Sequence, residues 1–168
     1  MDEVPVLGVV DYETASEVSK PELRLWLRLL TCTAMMENEV RARLRREFEV
    51  TLPRFDLMAA LDKAPDGLTM GELSRRLMVS NGNVTGVTER LVTEGLVTRL
   101  PSPTDRRTQY VKLTDAGRRT FRAMAKAHER WIAGMFDGLA RDEMAELMAL
   151  LGKAKHSVRA SIDREEAR

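Results

Sequence analysis

An acidic residue and two adjacent arginines stand on a short proline-rich reversal, in the stretch PSPTDRRTQYVKLT at residues 101–114. Asp105 is placed to brace Arg107, two residues further on, so that its guanidinium loses less entropy when it binds an anion. Arg106 then suits a phosphate. A solvated loop is the usual role of such a cluster, but strand-like residues on both sides favour a projecting hairpin tip that binds an anionic surface.

A second polar group lies on a helix predicted for residues 80–93. At 100° per residue, Val84, Val87 and Leu91 share one face, which must pack against the preceding helix. Two glycines on the opposite face cost roughly 1 kcal/mol each relative to alanine, so another molecule's backbone or groove is expected to approach there closely. The alternative is an ordinary surface helix. The opposite face and its flanks carry Gly82, Gly86, Glu89, Thr93, Asn83, Thr85 and Arg90.

Short hydrogen-bonding groups near the N-terminus of this helix suit the edges of DNA bases. Asparagine pairs with adenine, and threonine contacts the methyl group of thymine, when such a helix enters the major groove. Arg90 suits a phosphate, and Ser80 can cap the helix. A hairpin beside the helix would lie over the minor groove, whose negative potential attracts arginine. The predicted DNA-binding residues are Ser80, Asn81, Asn83, Thr85, Arg90, Asp105, Arg106 and Arg107.

The elements around these residues predict a mainly α fold with a small β-hairpin wing, that is, a winged helix-turn-helix with a helical dimerisation lobe. Thr69 and Glu72 can form a capping box, and Thr114 can cap the helix after the hairpin. Only about three residues separate the two helices before the hairpin, as in a helix-turn-helix. Helices are predicted at about 22–49, 53–64, 69–77, 80–93, 114–138 and 142–162, and strands at about 95–100 and 107–113.

The domain organisation follows from where apolar periodicity begins and ends. Residues 1–20 mix proline, glycine and acids without a period and predict a flexible arm. Residues 53–113 form the predicted DNA-binding lobe. The helices at 21–52 and 114–168 carry more apolar length than that lobe can cover, which predicts a homodimer. Two recognition helices would then read an inverted repeat with half-sites about 10 bp apart.

Composition limits the other function classes. The 168 residues are 43% hydrophobic, enough for one compact core, and 27 basic residues nearly cancel 26 acidic ones, so any DNA signal must be local. Neither a secretion signal nor a stretch of about 20 apolar residues is present, which predicts a cytoplasmic protein. No nucleophile with a base, no phosphate loop and no metal-ligand cluster can be assembled, so neither an enzyme nor a cofactor is expected.

The stretch LTMGELSRRLMVSNGNVTGVTERLVTEGLVTRLPSPTDRRTQYVKLTDAGR resembles the DNA-binding lobe of the MarR family of bacterial transcriptional regulators. The family's wing signature is matched by Asp105, Arg106, Arg107, Leu113, Thr114 and Gly117. The resemblance implies a homodimer whose terminal helices form the dimerisation lobe. The resemblance also implies that Arg107 is the residue that enters the minor groove. Many members of the family lose DNA affinity when a small phenolic or aromatic ligand binds between the lobes.

The stretches RLWLRLLTCT and TLPRFDLMAALDKAPDGLTMGELSRRLMVSNGNVTG are similar to a subgroup associated with catabolism of aromatic acids. This likeness implies a repressor released by an aromatic acid or its coenzyme A thioester, such as a hydroxycinnamoyl or benzoyl ester. Two alternatives stay open: a protein-interaction module that has lost DNA contact, and a redox sensor based on Cys32. For most of the candidate ligand-binding residues, core packing is the alternative role. These large or adaptable groups, on helices that would line the lobe junction, are Trp26, Leu30, Met36, Phe55, Met58, Phe121, Met124, His128 and Trp131.

Cys32 lies in the middle of the first predicted helix, among apolar neighbours and without a nearby base. Thiols in such surroundings are inert. The pattern therefore favours a buried, unreactive thiol over a redox switch.

Overall fold

The computed structural model describes residues 20–77, 81–101 and 108–167. Within these ranges the chain is mostly helical, with one small antiparallel sheet, which confirms the predicted fold class. Residues 1–19 of the predicted N-terminal arm lie outside the described residues. The elements in chain order are α1 Pro21–Phe48, α2 Leu52–Asp62, β1 Leu68–Thr69, α3 Met70–Leu77, α4 Asn81–Thr93, β2 Val97–Pro101, β3 Gln109–Leu113, α5 Asp115–Met135 and α6 Arg141–Glu166.

Helix α1 begins at Pro21, whose fixed φ suits a first turn. It ends where Glu49 adopts a left-handed φ of 56°. The backbone N–H of Glu49 then donates to Arg45 O at 3.1 Å, and that of Val50 donates to Leu44 O at 3.2 Å, so the last carbonyls of the helix are satisfied. The predicted helix at 22–49 is confirmed to within one residue at each end.

A capping box starts helix α3, as the sequence predicts. The backbone N–H and the hydroxyl of Thr69 donate to Glu72 Oε2 at 2.8 and 2.9 Å, and Glu72 N donates back to Thr69 Oγ1 at 3.3 Å. The hydrogen bonds from the Thr69 backbone and then from its hydroxyl hold the pKa of Glu72 below its usual value of 4.5. Stabilisation by this carboxylate is therefore fully present above pH 4.5 and is lost as the pH falls through the lower folded-state pKa.

Replacing Thr69 by alanine is expected to lower the free energy of unfolding by about 1 kcal/mol at pH 7. The midpoint of thermal unfolding should fall by about 2–4 °C in a chain of this size. The cost should be smaller at pH 3 than at pH 7, because stabilisation by the Glu72 carboxylate is lost as the pH falls from 4.5 through its lowered folded-state pKa. Circular dichroism melts at the two pH values measure this, with Thr93→Ala as the control, because its exposed hydroxyl only donates to Glu89 O within α4. An equal cost at both pH values would contradict the pairing.

The sheet has the strand order β1-β3-β2, with antiparallel pairing throughout. Residues Val97–Pro101 of β2 pair with Gln109–Leu113 of β3, which confirms the predicted hairpin. Strand β1 was not predicted: Leu68 pairs with Val111 and Thr69 with Tyr110, although the sequence indicated only a helix start there. A strand of two residues is too short to show an alternating pattern of apolar and polar residues. Only its pairing with the distant strand β3 defines it.

The junction between the sheet and α5 is held by Thr114. Its backbone N–H donates to Leu96 O at 3.0 Å and its hydroxyl donates to Gly95 O at 2.7 Å. The same hydroxyl accepts from the backbone N–H of Gly117 at 3.0 Å, so Thr114 caps α5 as predicted. Gly117 allows α5 to approach the carbonyl of Leu96 at a distance that no side chain permits.

The chain divides into two compact units, Met1–Glu129 and Arg130–Arg168. In the second unit, α5 ends at Met135, a turn replaces the last predicted residues before Gly138, and α6 extends four residues beyond the predicted Ile162. Helix α6 contains no buried residue. Its large exposed apolar side chains are Leu147, Met148, Leu150, Leu151, Val158 and Ile162. None of the helices in the described ranges combines the length and apolarity needed to cross a membrane.

Candidate DNA-binding surface

Helix α4 packs through a buried face and presents a polar one. Val84 and Leu91 are buried, as predicted, while Val87 is half-buried. The sequence reading missed Thr88, which is fully buried on the same face. Its hydroxyl donates to Val84 O at 2.8 Å, so a polar residue is tolerated in the core. A count of apolar positions cannot find such a threonine, because the carbonyl that satisfies it belongs to its own helix.

The opposite face of α4 is exposed along its length. Gly82, Asn83, Thr85, Gly86 and Arg90 are all exposed. A Cβ atom built at either glycine would meet nothing within 4 Å. Packing within the described residues therefore requires glycine at neither position. Because these two positions carry no side chain, another molecule can approach the backbone of this polar face closely.

Several predicted DNA-binding residues lie outside the described residues: Ser80, Asp105, Arg106 and Arg107. Asn81 begins α4, but its side chain is likewise outside the description. Pro101 and Gln109 pair across the hairpin, so the segment with the two arginines connects the paired ends of β2 and β3. Its contact with DNA stays a prediction.

A polar cleft of about 210 Å³ borders the exposed face of α4. Arg54 of α2 and Arg90 of α4 both line it. Arg54 forms an ion pair with Glu94, whereas the described ranges show no carboxylate paired with Arg90. The sequence reading missed Arg54, since an arginine after a helix-opening proline looks like any solvated charge. The cleft is lined by Thr51, Arg54, Gly82, Asn83, Gly86, Val87 and Arg90.

A second, apolar cleft of about 140 Å³ lies between α2 and α4, and is called the α2–α4 cleft below. Asp56 is its only ionisable residue. Burial, and then the nearby charge of Glu37, raise the pKa of the Asp56 carboxyl above its usual value of 3.8. Sequence reasoning did not single out this aspartate. The lining residues are Pro53, Asp56, Leu57, Leu77, Asn83, Val84 and Val87.

The large groups predicted near the lobe junction fall into three classes of burial. The first unit contains a ring cluster, in which the centroid of Phe55 lies 5.6 Å from Phe121 and 5.0 Å from His128. Burial lowers the pKa of His128, against the opposing charge of Glu129. Neither cleft is lined by any of these groups. Phe55, Met58, Phe121, Met124 and Trp131 are buried; Leu30, Met36 and His128 are half-buried; Trp26 is 56% exposed.

Cys32 corrects one expectation. The apolar neighbourhood in α1 predicted a buried thiol, but Cys32 is exposed. Helix α1 buries only Val40 and Leu44, near its C-terminus, so apolar residues in its first half do not enclose their neighbours. Among the described residues, no three His, Cys, Asp or Glu side chains are grouped as a metal ion would require.

The helix-turn-helix pair and the paired wing strands define the class of a winged-helix regulator, and comparison with known proteins gives the family. A MarR family profile matches residues 48–108. The chain is 35% identical to a MarR family transcriptional regulator from Silicibacter pomeroyi whose crystal structure is known, covering 85% of this chain and 99% of that one with a TM-score of 0.71. This protein belongs to the MarR family of transcriptional regulators.

Three further relatives are informative. The crystal structure of mutant MarR C80S from Escherichia coli complexed with operator DNA is 28% identical, with a TM-score of 0.68 over 79% of this chain and 95% of that one. The transcriptional activatory protein BadR of Rhodopseudomonas palustris is 31% identical over 105 residues, or 61% of this chain. That match covers 59% of the length of BadR. The Bacillus subtilis regulator YkoM is 37% identical over 49% of this chain, and this match covers 54% of the length of YkoM.

Proposed function

We propose that this protein is a cytoplasmic, non-enzymatic transcriptional regulator that places α4 in the major groove of an inverted-repeat operator. The observation that carries the proposal is the exposed α4 face, where Gly82 and Gly86 meet nothing and Asn83 and Thr85 offer polar groups. Arg90 lies beside them in a polar cleft without a described carboxylate partner, as a phosphate contact requires. The related E. coli MarR C80S, solved with operator DNA, supports the same use of the fold.

The proposed regulator is a homodimer, with the helices at 21–52 and 114–168 forming the dimerisation lobe and residues 53–113 the DNA-binding lobe. Large apolar side chains are exposed on α1, including Leu23, Leu25, Trp26 and Met35, and the apolar stripe of α6 is exposed as well. Several large apolar side chains exposed on one helix indicate a contact surface. A second copy would cover them and set the two recognition helices one DNA turn apart.

The wing supplies the second DNA contact in this proposal. Asp105 orients Arg107 into the minor groove, and Arg106 meets a phosphate of the adjoining backbone. The support is the position of this segment in the hairpin, between the paired residues Pro101 and Gln109.

Replacing Arg107 by alanine is expected to weaken operator binding by about 5- to 150-fold, because one well-placed guanidinium contributes roughly 1–3 kcal/mol to such a complex. The slope of log affinity against log salt should become shallower by about one unit. Fluorescence anisotropy measures both, with duplexes selected from a random pool by the unaltered protein. Arg164→Ala on the exposed end of α6 is the matched control. If the unaltered protein selects no duplex from the pool, and its weak affinity for mixed-sequence DNA does not depend on salt, the interaction-module alternative is favoured.

The finer part of the proposal concerns the effector. In this proposal the protein is a repressor of aromatic catabolism. A small aromatic acid, or its coenzyme A thioester, releases it from its operator. The half-buried ring of His128, beside Phe55 and Phe121, offers an aromatic surface on which such a ligand would stack. These residues lie in the first unit with Met58 and Met124, whose flexible side chains could adapt to a planar guest.

Footprinting the selected operator with and without aromatic acids and their thioesters tests this part. Release requires that the effector binds the DNA-free state more tightly than the DNA-bound state. Protection that stays unchanged under every compound would remove the effector from the proposal and leave DNA binding standing. Protection that strengthens would reverse the direction of regulation.

A further inference from the structure

We propose that the α2–α4 cleft binds a small apolar amine, whose ring fills the cleft and whose ammonium group pairs with the Asp56 carboxylate. This site is distinct from the ring cluster of Phe55, Phe121 and His128. Its ligand is a cation, whereas the aromatic acids proposed for the ring cluster are anions.

The shape and lining of the cleft select a compact apolar body. Five of its seven lining residues are hydrophobic: Pro53, Leu57, Leu77, Val84 and Val87. Its volume of about 140 Å³ is close to the roughly 150 Å³ of a protein cavity that holds one benzene ring. One six-membered ring with a short substituent therefore fits, whereas a coenzyme A ester does not.

The charge of the cleft selects a cation. Asp56 is half-buried, and within the described ranges its carboxylate takes part in no hydrogen bond or ion pair. Burial disfavours its charged form, and the second carboxylate of Glu37 adds to this penalty. A bound ammonium would relieve both effects, whereas a bound carboxylate would add a third negative charge.

Two arginines that could otherwise compete for Asp56 or Glu37 are paired with other carboxylates or with Glu37 itself. Arg54, two residues before Asp56 on α2, is paired with Glu94. Arg41 of α1 has its guanidinium 3.9 Å from Glu37. These pairs leave Asp56 as a carboxylate site that a ligand can occupy without displacing a described ion pair.

Part of the wall of the cleft is formed by α4, the proposed recognition helix. Asn83, Val84 and Val87 belong to α4 and line the cleft, while Asn83 reaches the exposed DNA-facing side as well. A bound amine that moves α2 and α4 apart, or that holds them at a fixed spacing, would change how α4 meets DNA. This regulatory consequence rests on the proposed function, but binding of the amine does not.

Isothermal titration of the full chain with benzylamine at pH 7.5, without DNA, tests the site. We expect saturable binding of one amine per chain. Asp56→Asn should weaken it at least tenfold, while Asp62→Asn, at the other end of α2, should leave it unchanged. Benzoate, which has the same ring and the opposite charge, should not bind in the cleft.

A second variant covers the case in which Asp56→Asn does not fold. Val87→Phe keeps the charge and fills the cleft, so it should abolish benzylamine binding. Saturable binding that survives both variants, benzoate binding that Val87→Phe abolishes, or the absence of amine binding would each overturn the proposal. Operator affinity is measured separately without amine, so failure of the DNA-binding proposal would be seen independently.

Discussion

Replacing Gly117 by alanine is expected to lower the free energy of unfolding by about 3 kcal/mol or more. A Cβ atom at this position would lie 1.9 Å from the carbonyl oxygen of Leu96 and 2.9 Å from its carbonyl carbon. It would also lie 3.2 Å from Leu113 Cδ2. Contacts this short with backbone atoms cannot be relieved by rotating a side chain, so either α5 or the turn before β2 must move.

That movement disrupts a connected set of hydrogen bonds. The carbonyl oxygen of Leu96 accepts from Thr114 N at 3.0 Å, and the Thr114 hydroxyl joins Gly95 O to the backbone N–H of Gly117. Overpacking alone costs about 1–3 kcal/mol, and each lost hydrogen bond adds about 1 kcal/mol. Since the backbone approach is tight on two sides, we place the effect at the upper end of this range.

Urea unfolding followed by circular dichroism measures this prediction. Gly134→Ala is the matched control, because it lies on the same helix and a Cβ atom there meets nothing within 4 Å. It should gain up to about 1 kcal/mol from helix propensity. Equal unfolding midpoints for Gly117→Ala and the unaltered protein would show that the junction is not rigid. The same result would remove the physical reason for glycine at this position.

The elements that the sequence predicts well are those whose signals are local. The Thr69–Glu72 capping box was predicted from two residue types three positions apart, and the Thr114 cap from a threonine that precedes a helical segment. Both form as expected. The six helices follow from apolar periodicity for the same reason. Strand β1 was missed because its pairing partner, β3, lies some 40 residues away in the chain.

The candidate site divides in the same way. The exposed and buried faces of α4 follow from a period of 3.6 residues, so they were predicted, apart from Thr88. The polar cleft joins Arg54 to Arg90, and the α2–α4 cleft joins Asp56 to Asn83, across elements that are separate in the sequence. The expected burial of Cys32 was wrong for a related reason, since local apolarity does not say which face of a helix is covered.

Replacing both Gly82 and Gly86 by alanine is expected to make the protein more stable and a poorer DNA binder. Alanine exceeds glycine in helix propensity by up to about 1 kcal/mol per site, and a Cβ atom at either position would meet nothing within 4 Å among the described residues. The midpoint of thermal unfolding should rise by about 2–4 °C for each kcal/mol gained. Operator affinity should nevertheless fall at least about tenfold, as two methyl groups hold the helix away from the groove.

The opposite signs of the two effects make this variant informative. A substitution that weakens DNA binding by damaging the fold lowers both quantities, whereas this one should lower only affinity. Differential scanning calorimetry and anisotropy titrations on the selected duplex measure the pair, with Gly134→Ala as a control that gains stability and keeps affinity. If the double variant binds operator as tightly as the unaltered protein, the α4 face does not enter the groove. The glycines would then be ordinary surface positions, and the wing would remain the only DNA contact still to be tested.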